Sequence, residues 1–338
     1  IKKDNVNAEK YYLKALSIAP EDANNIGNYA SFLKNIKKDN VNAEKYYLKA
    51  LSIAPEDANN IGNYASFLKN IKKDNVNAEK YYLKALSIDP EDLAINGNYA
   101  SFLWEIKKDY VDAEKYYLKV LSIDPEHPNN NGNYANFLMN IKKDYVNSEK
   151  YFLKALSIDR ENAAINGNYA IFLKDIKKDY VNAEKHFLKA LSIDSETIQN
   201  NGNYANFLKD IKKDYVSAEK YFLKALAIDP DDANNNGNYA SFLLITNKIK
   251  EARKYLDRAF QLSNNEKNAL LVELWFYKYA HYLDSLDESE KAIEELLKEG
   301  VRSIGWNLDK NVEVAIKKGH PNPKKLKEFA KKITESKD

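Results

Sequence analysis

The sequence repeats itself every 35 residues, and this period constrains the fold more than any other feature. Residues 1–35 and 36–70 are identical. The segment IKKD opens successive copies at Ile1, Ile36, Ile71, Ile106, Ile141, Ile176 and Ile211. A period of this length indicates small structural units that stack and share one continuous core. Two ordinary globular domains, which a length of 338 residues would otherwise suggest, are therefore not expected.

One copy, residues 89–123, contains the signals of two helices. Asp89 is predicted to cap the first helix, with Pro90 at its first position, and the helix is predicted to end near Trp104. After the turn, Asp109 is predicted to cap the second helix.

The second helix is predicted to turn one apolar face inward, formed by Val111, Ala113, Tyr116, Tyr117 and Leu121. Helices this short are marginal in isolation, so each must bury its face against its partner and the next copy. The sequence therefore predicts an all-α fold.

These residues resemble the tetratricopeptide repeat family over about 22–262. The small residue of the family's first helix matches Ala30, Ala65, Ala100, Ala135, Ala170, Ala205 and Ala240, and its terminal proline matches Pro20, Pro55, Pro90, Pro125 and Pro230. The resemblance implies a right-handed α-solenoid of antiparallel helix pairs whose first helices line a concave groove. Two departures are that Ile or Asn replaces the family's first-helix aromatic, and that each copy has one extra residue, which we place in the IKKD turn. The last junction lacks this extra residue.

Three segments are predicted along the chain: a partial repeat at 1–21, seven helix pairs at 22–264, and a degenerate repeat with a C-terminal helical cap at 265–338. The cap should open with a helix at 267–284 that is longer than any repeat helix. Shorter cap helices are expected at 287–299, 308–318 and 323–335. Because the sequence begins within a repeat and without methionine, residues upstream of Ile1 are expected.

A polar stripe runs along the predicted first helix, formed in the first copy by Asn24, Asn28, Ser31 and Asn35. One asparagine of this stripe is the same in every copy: Asn28, Asn63, Asn98, Asn133, Asn168, Asn203 and Asn238. A carboxamide matches the donor and acceptor of a peptide unit, so the row is suited to an extended polypeptide. A similar asparagine ladder lines the repeats of the O-linked N-acetylglucosamine transferases. The alternative is that these amides bond to one another or to neighbouring helix ends.

Two further features of the first helix admit two interpretations each. Trp104 and Met139 replace lysines on neighbouring copies, and they either anchor a ligand in the groove or belong to the peripheral core. The glycine before each ladder asparagine, such as Gly27, costs about 1 kcal/mol in a helix relative to alanine. It either allows close packing of first helices, which we favour, or opens the groove to a backbone.

Composition argues against catalysis and against charged partners. The chain has no cysteine and only four histidines, none at metal-ligand spacing, and it has no nucleotide-binding or nucleophile motif. Its net charge is only +2. We therefore expect no enzyme activity, cofactor or metal, and no nucleic-acid or membrane partner. A cytoplasmic location is expected.

The leading functional hypothesis is a scaffold that binds a protein or extended peptide in the groove. One alternative is the sensor or oligomerisation arm of a larger signalling or defence protein. A less favoured alternative is single-stranded RNA binding, because pentatricopeptide repeats are also helix pairs of about 35 residues. The uncapped N-terminal edge could also support self-association.

Overall fold

The computed structural model describes residues 5–263 and 268–335, which are helices joined by short turns. The all-α prediction is confirmed for these residues. The chain divides after Arg160 into two compact units.

The first unit consists of helix α1 followed by four antiparallel helix pairs. Its helices are α1 Asn5–Ile18, α2 Ala23–Phe32, α3 Asn40–Ile53, α4 Ala58–Phe67, α5 Asn75–Ile88, α6 Leu93–Phe102, α7 Tyr110–Ile123, α8 Pro128–Phe137 and α9 Tyr145–Ile158. The even-numbered helices are the first helices of the pairs, and the odd-numbered helices that follow are the second helices.

The second unit consists of three more pairs and four C-terminal helices. The pairs are α10 Ala163–Phe172 with α11 Tyr180–Ile193, α12 Ile198–Phe207 with α13 Tyr215–Ile228, and α14 Ala233–Ile245 with α15 Ile249–Ser263. The C-terminal helices are α16 Ala269–His281, α17 Leu286–Lys298, α18 Asp309–Lys317 and α19 Pro323–Thr334.

Most of the helix starts in the repeats are set by side-chain caps. Asp109 accepts a hydrogen bond from the backbone N–H of Asp112, as predicted for the second helix. The prediction for the first helix was wrong, because its cap is Asp92, which accepts from the N–H of Ile95. Asp89 instead ends the preceding helix, and Pro90 lies in the turn between them. The aspartate nearer the apolar run therefore becomes the cap.

In the copies that have the extra residue, the first helix ends in a wide helical turn that includes the first two residues of the IKKD segment. Leu68–Lys72 form a π-helical turn that continues α4. The carbonyl of Leu68 accepts from the N–H of Lys73, five residues on, and Lys73 adopts a left-handed backbone with φ of 56°. Such turns absorb one inserted residue without breaking the helix. Helix α14 lacks the insertion and has no such turn.

Within each unit, the core lies between the two helices of each pair and between successive pairs. Ala113 and Tyr117 of α7 are buried as predicted, and Tyr116 and Leu121 are partly buried. Val111 was predicted to face inward but is 80% exposed. It lies on the opposite side of the helix from Ala113, since adjacent helical positions differ by about 100°.

The C-terminal helices follow the predicted order. Helix α16 has 13 residues and is shorter than the 14-residue second helices, so the prediction of an unusually long helix was wrong. Its predicted first residue, Lys267, lies outside the described residues. The helix is bounded by the cap Asn268 and by Tyr282, which leaves the helical conformation.

Candidate functional site

The positions repeated between copies place three kinds of asparagine at three positions around the first helix. The ladder asparagines, which we call the asparagine stripe, are exposed in the first three copies and partly buried in the rest: Asn28, Asn63, Asn98, Asn133, Asn168, Asn203 and Asn238. Within the described residues, no hydrogen bond uses their side-chain amides. The amides therefore remain available to a ligand.

A second kind of asparagine links consecutive first helices. Asn60 of α4 is buried, and its amide donates to the carbonyl of Ala23 in α2 over 3.3 Å. Its side chain fills the space beside Gly27, where an added Cβ would lie 1.8 Å from the amide oxygen. The same contact joins Gly97 to Asn130. These glycines permit close packing of first helices, which confirms the interpretation that the sequence favoured.

A third kind of asparagine stabilises the start of its own helix. Asn96 is fully buried, and its amide donates to the carbonyls of Pro90 and Asp92 at 2.9 and 2.7 Å. It occupies the position of the family's first-helix aromatic. Sequence reasoning recorded this substitution but assigned it no role. A signal was present, because the first two copies have Ile26 and Ile61 there and later copies have asparagine.

In the first copies, the serine of the predicted polar stripe already contacts a buried tyrosine. The hydroxyl of Ser31 lies 2.9 Å from that of Tyr47, which is buried in α3. Ser66 and Tyr82 form the same contact. In the fourth to sixth helix pairs the tyrosine is replaced by phenylalanine and the serine by asparagine or isoleucine. The serine therefore belongs to the helix-pair contact, and Asn28-type residues carry the stripe.

Trp104 and Met139 are held differently from each other. The indole N–H of Trp104 donates to the hydroxyl of Tyr117 over 3.1 Å, and that hydroxyl lies 2.8 Å from the hydroxyl of Ser101. Trp104 is partly buried, with its ring edge-on to Phe137. Met139 is buried, with 8% of its surface exposed. Trp104 therefore presents part of a fixed indole, whereas the thioether of Met139 is largely covered by the core.

The lysines beside the stripe are mostly neutralised by neighbouring acids. Lys69 pairs with Glu105 of the next copy over 2.6 Å, and in the second unit Lys174 pairs with Asp175 over 3.3 Å. For Lys34, burial and the nearby charge of Lys38 lower the pKa. The stripe thus runs through surroundings with little net charge, which suits a neutral peptide backbone better than a polyanion.

In the second unit the C-terminal helices cover part of the first-helix surface. The amide of Asn311 donates to the hydroxyl of Ser241 over 3.0 Å, and the ring of Trp306 lies 5.4 Å from the ammonium of Lys209. Ser241 and Lys209 are only 2% and 3% exposed. The equivalent residues of the first unit are partly exposed: Ser31, Ser66, Ser101, Lys34 and Lys69. An open stripe is therefore found in the first unit.

A buried polar cluster supports this covered surface. Glu273 accepts from the hydroxyl of Ser303 over 2.5 Å, and burial raises the pKa of its carboxyl to about 7, although the Ser303 bond and the Lys209 charge oppose this shift. His281 lies 3.0 Å from the amide oxygen of Asn311, and burial lowers the pKa of its imidazole to about 4. Both groups are enclosed, so we assign them to the packing of the C-terminal helices.

Among residues 5–263 and 268–335, no three acidic or histidine side chains converge closely enough to hold a metal ion. In the same part of the chain, no helix has the length and apolar character needed to cross a bilayer.

The pattern of paired helices, small packing residues and an exposed first-helix stripe defines a class of helical-hairpin repeat proteins. A model of the tetratricopeptide repeat family matches residues 59–92. A search of curated proteins finds no match. The matched repeat is thus similar to a tetratricopeptide repeat, and the fold is similar to that of solved tetratricopeptide repeat structures.

Solved structures share this fold at low sequence identity. A tetratricopeptide repeat protein from Parabacteroides merdae is 18% identical, with a TM-score of 0.51, 75% of this chain covered and 97% of that chain. Yeast Tom70 is 18% identical, with a TM-score of 0.51 and coverages of 86% and 59%. Cut9 in the Cut9–Hcn1 hetero-tetramer is 16% identical, with a TM-score of 0.60 and coverages of 78% and 51%. This chain therefore matches little more than half of the last two.

Proposed function

We propose that this protein is a binding scaffold that holds an extended polypeptide against the asparagine stripe of its first unit. The observation that carries the proposal is the set of exposed or partly exposed amides, repeated once per copy and bonded to no other side chain or backbone group in the described residues. Helix-forming residues other than asparagine would cost less at these positions, so the repeated choice calls for a role.

The spacing of the stripe supports the same ligand. Successive first helices pack about 8–10 Å apart, and an extended chain advances about 3.3 Å per residue, so roughly three ligand residues span each step. The first unit has four steps, with Asn28, Asn63 and Asn98 exposed and Asn133 partly exposed. A bound segment would therefore have roughly ten residues. In this proposal the exposed part of Trp104 contacts one apolar ligand side chain.

The proposal is tested with a pool of fluorescein-labelled random-sequence dodecamer peptides, measured by fluorescence anisotropy. The variant Asn63→Ala, Asn98→Ala, Asn133→Ala removes three amides. If each amide contributes about 1 kcal/mol through hydrogen bonds to the ligand, affinity falls roughly 100-fold.

The matched control is Asn42→Ala, Asn77→Ala, Asn147→Ala, which changes the same residue type on exposed parts of the second helices. It should retain binding, and both variants should retain the helical circular dichroism of the parent. Equal peptide affinity of the stripe variant and the parent would refute the proposal. Binding by the edge of α1 to a second copy of the chain stays a separate prediction.

A further inference from the structure

The second helices expose a row of apolar and basic side chains that the proposed function does not use. In α5, Val76, Lys80 and Leu83 lie at positions i, i+4 and i+7, which places them on one face of the helix. All three are exposed, Val76 by 80% and Leu83 by 48%. An ordinary surface helix buries its apolar residues on one face and exposes polar residues on the other. This Val–Lys–Leu face instead exposes its apolar residues.

The same face occurs on every second helix of the first unit. Its members are Val6, Lys10 and Leu13 in α1; Val41, Lys45 and Leu48 in α3; Val76, Lys80 and Leu83 in α5; Val111, Lys115 and Leu118 in α7; and Val146, Lys150 and Leu153 in α9. The five valines are all 80% exposed or slightly more. With helices about 10 Å apart and seven residues spanning about 10 Å, the apolar side chains form a regular grid. Isolated exposed apolar residues are ordinary, but the same pair repeated on five helices of one unit makes this surface a candidate for interaction.

The charge of this face is positive. The acids at its edge are already paired: Glu44 with Lys72 over 2.9 Å, and Glu79 with Lys107 over 2.9 Å. By contrast, none of the central lysines has an ion-pair partner among the described residues of this unit: Lys10, Lys45, Lys80, Lys115 and Lys150. Each helix therefore presents one uncompensated ammonium between two aliphatic side chains. The chain as a whole is nearly neutral, so this local excess was invisible in the net charge of +2.

Two properties of the face select among anionic partners. The valines project from the helix surface and do not line a pocket, and the chemistry is the same on every step, whereas the first-helix position of Lys69 and Trp104 changes between copies. A folded protein partner would need protrusions and acids repeated at the same spacing. A second copy of this face carries the same lysines and would repel it. A fluid anionic surface needs no fixed spacing and accommodates projecting aliphatic side chains.

We infer that the Val–Lys–Leu face of the first unit docks on the interface of a membrane that contains anionic phospholipids. The aliphatic side chains would enter the headgroup and upper acyl region, and the ammonium groups would bind lipid phosphates. Such docking differs from crossing the bilayer. It differs from the sequence-based expectation of no membrane partner, which rested on net charge, and it goes beyond the proposed peptide binding.

The full chain is tested by flotation with vesicles of equal parts phosphatidylglycerol and phosphatidylcholine, and with vesicles of phosphatidylcholine alone. Binding is expected to the anionic vesicles and to weaken at high salt, because screening shortens the range of surface charge interactions. The variant Lys80→Gln, Lys115→Gln, Lys150→Gln should bind the anionic vesicles roughly 100-fold more weakly. The variant Val76→Ser, Val111→Ser, Val146→Ser should also weaken binding, with circular dichroism showing that it folds.

The matched control is Lys73→Asn, Lys108→Asn, Lys143→Asn, which removes the same charge from the left-handed turn positions, where asparagine is tolerated. It should bind vesicles like the parent. No binding of the parent to anionic vesicles, or an equal loss in this control, would overturn the inference and leave an acidic protein as the partner to examine. The triple stripe variant that abolishes peptide binding should bind vesicles normally, so the two proposals fail separately.

Discussion

The buried carboxyl of Glu273 is expected to lower the stability of the second unit as pH rises, and one substitution should remove this pH dependence. The folded-state pKa of Glu273 is about 7, above the ordinary value of 4.5. Its stabilising contribution is therefore complete below about pH 4.5 and is lost as pH rises through 7. The difference corresponds to about 3 kcal/mol of unfolding free energy at pH 8. Glu273→Gln keeps an acceptor for Ser303 and removes this loss.

His281 has the opposite effect on the same unit. Its folded-state pKa is about 4, below the ordinary 6.5, so its contribution is complete above about pH 6.5 and is lost as pH falls through 4. In the parent the two slopes nearly cancel between about pH 4.5 and 6.5. In Glu273→Gln the histidine acts alone, and unfolding free energy should rise by about 1.4 kcal/mol per pH unit across that range.

The assay is urea denaturation between pH 4 and 8.5, followed by tryptophan fluorescence in a Trp104→Phe background. The remaining tryptophans, Trp275 and Trp306, lie in the C-terminal segment, and Trp306 donates a hydrogen bond to Tyr277 beside the cluster. We expect the variant to exceed its parent by about 3 kcal/mol at pH 8 and to match it near pH 4.5. A variant no more stable than its parent at pH 8 would refute the reasoning.

Three further predictions concern the repeat itself. Gly62→Ala should lower the melting temperature although alanine is the better helix former, because its Cβ would lie 2.9 Å from the Ile95 side chain. Adding Ile95→Ala should relieve this contact. An unchanged melting temperature in the single variant would contradict the prediction. His186→Tyr should lower the free energy of unfolding measured by urea denaturation by about 1–3 kcal/mol, because the ring nitrogen of His186 lies 2.9 Å from the amide oxygen of Asn166. An unaltered urea midpoint would show that this hydrogen bond does not stabilise the fold. Asp74→Ala should lower the free energy of unfolding by about 1 kcal/mol through loss of the α5 cap. Asp74→Asn should lower it little, because asparagine is also a good cap.

Much of the candidate site could be predicted because it depends on local periodicity. The asparagine stripe followed from helical spacing alone, and the structure leaves those amides exposed or partly exposed. The helix caps were harder, because Asp89 and Asp92 are both suitable residues and only the actual path of the turn selects Asp92. Val111 was misassigned because an apolar side chain was assumed to be buried.

The sequence by itself determined the repeating unit, its two helices and the regular spacing of its side chains, because these depend on interactions within about 35 neighbouring residues. The tertiary structure decided which asparagines are buried beside a glycine of the next copy, and that Trp306 and Asn311 cover the first-helix surface at Lys209 and Ser241. It also decided that the valines of the second helices are exposed. The buried asparagines and the covered first-helix surface depend on contacts between residues distant in sequence, and periodicity within one helix carries no information about those contacts.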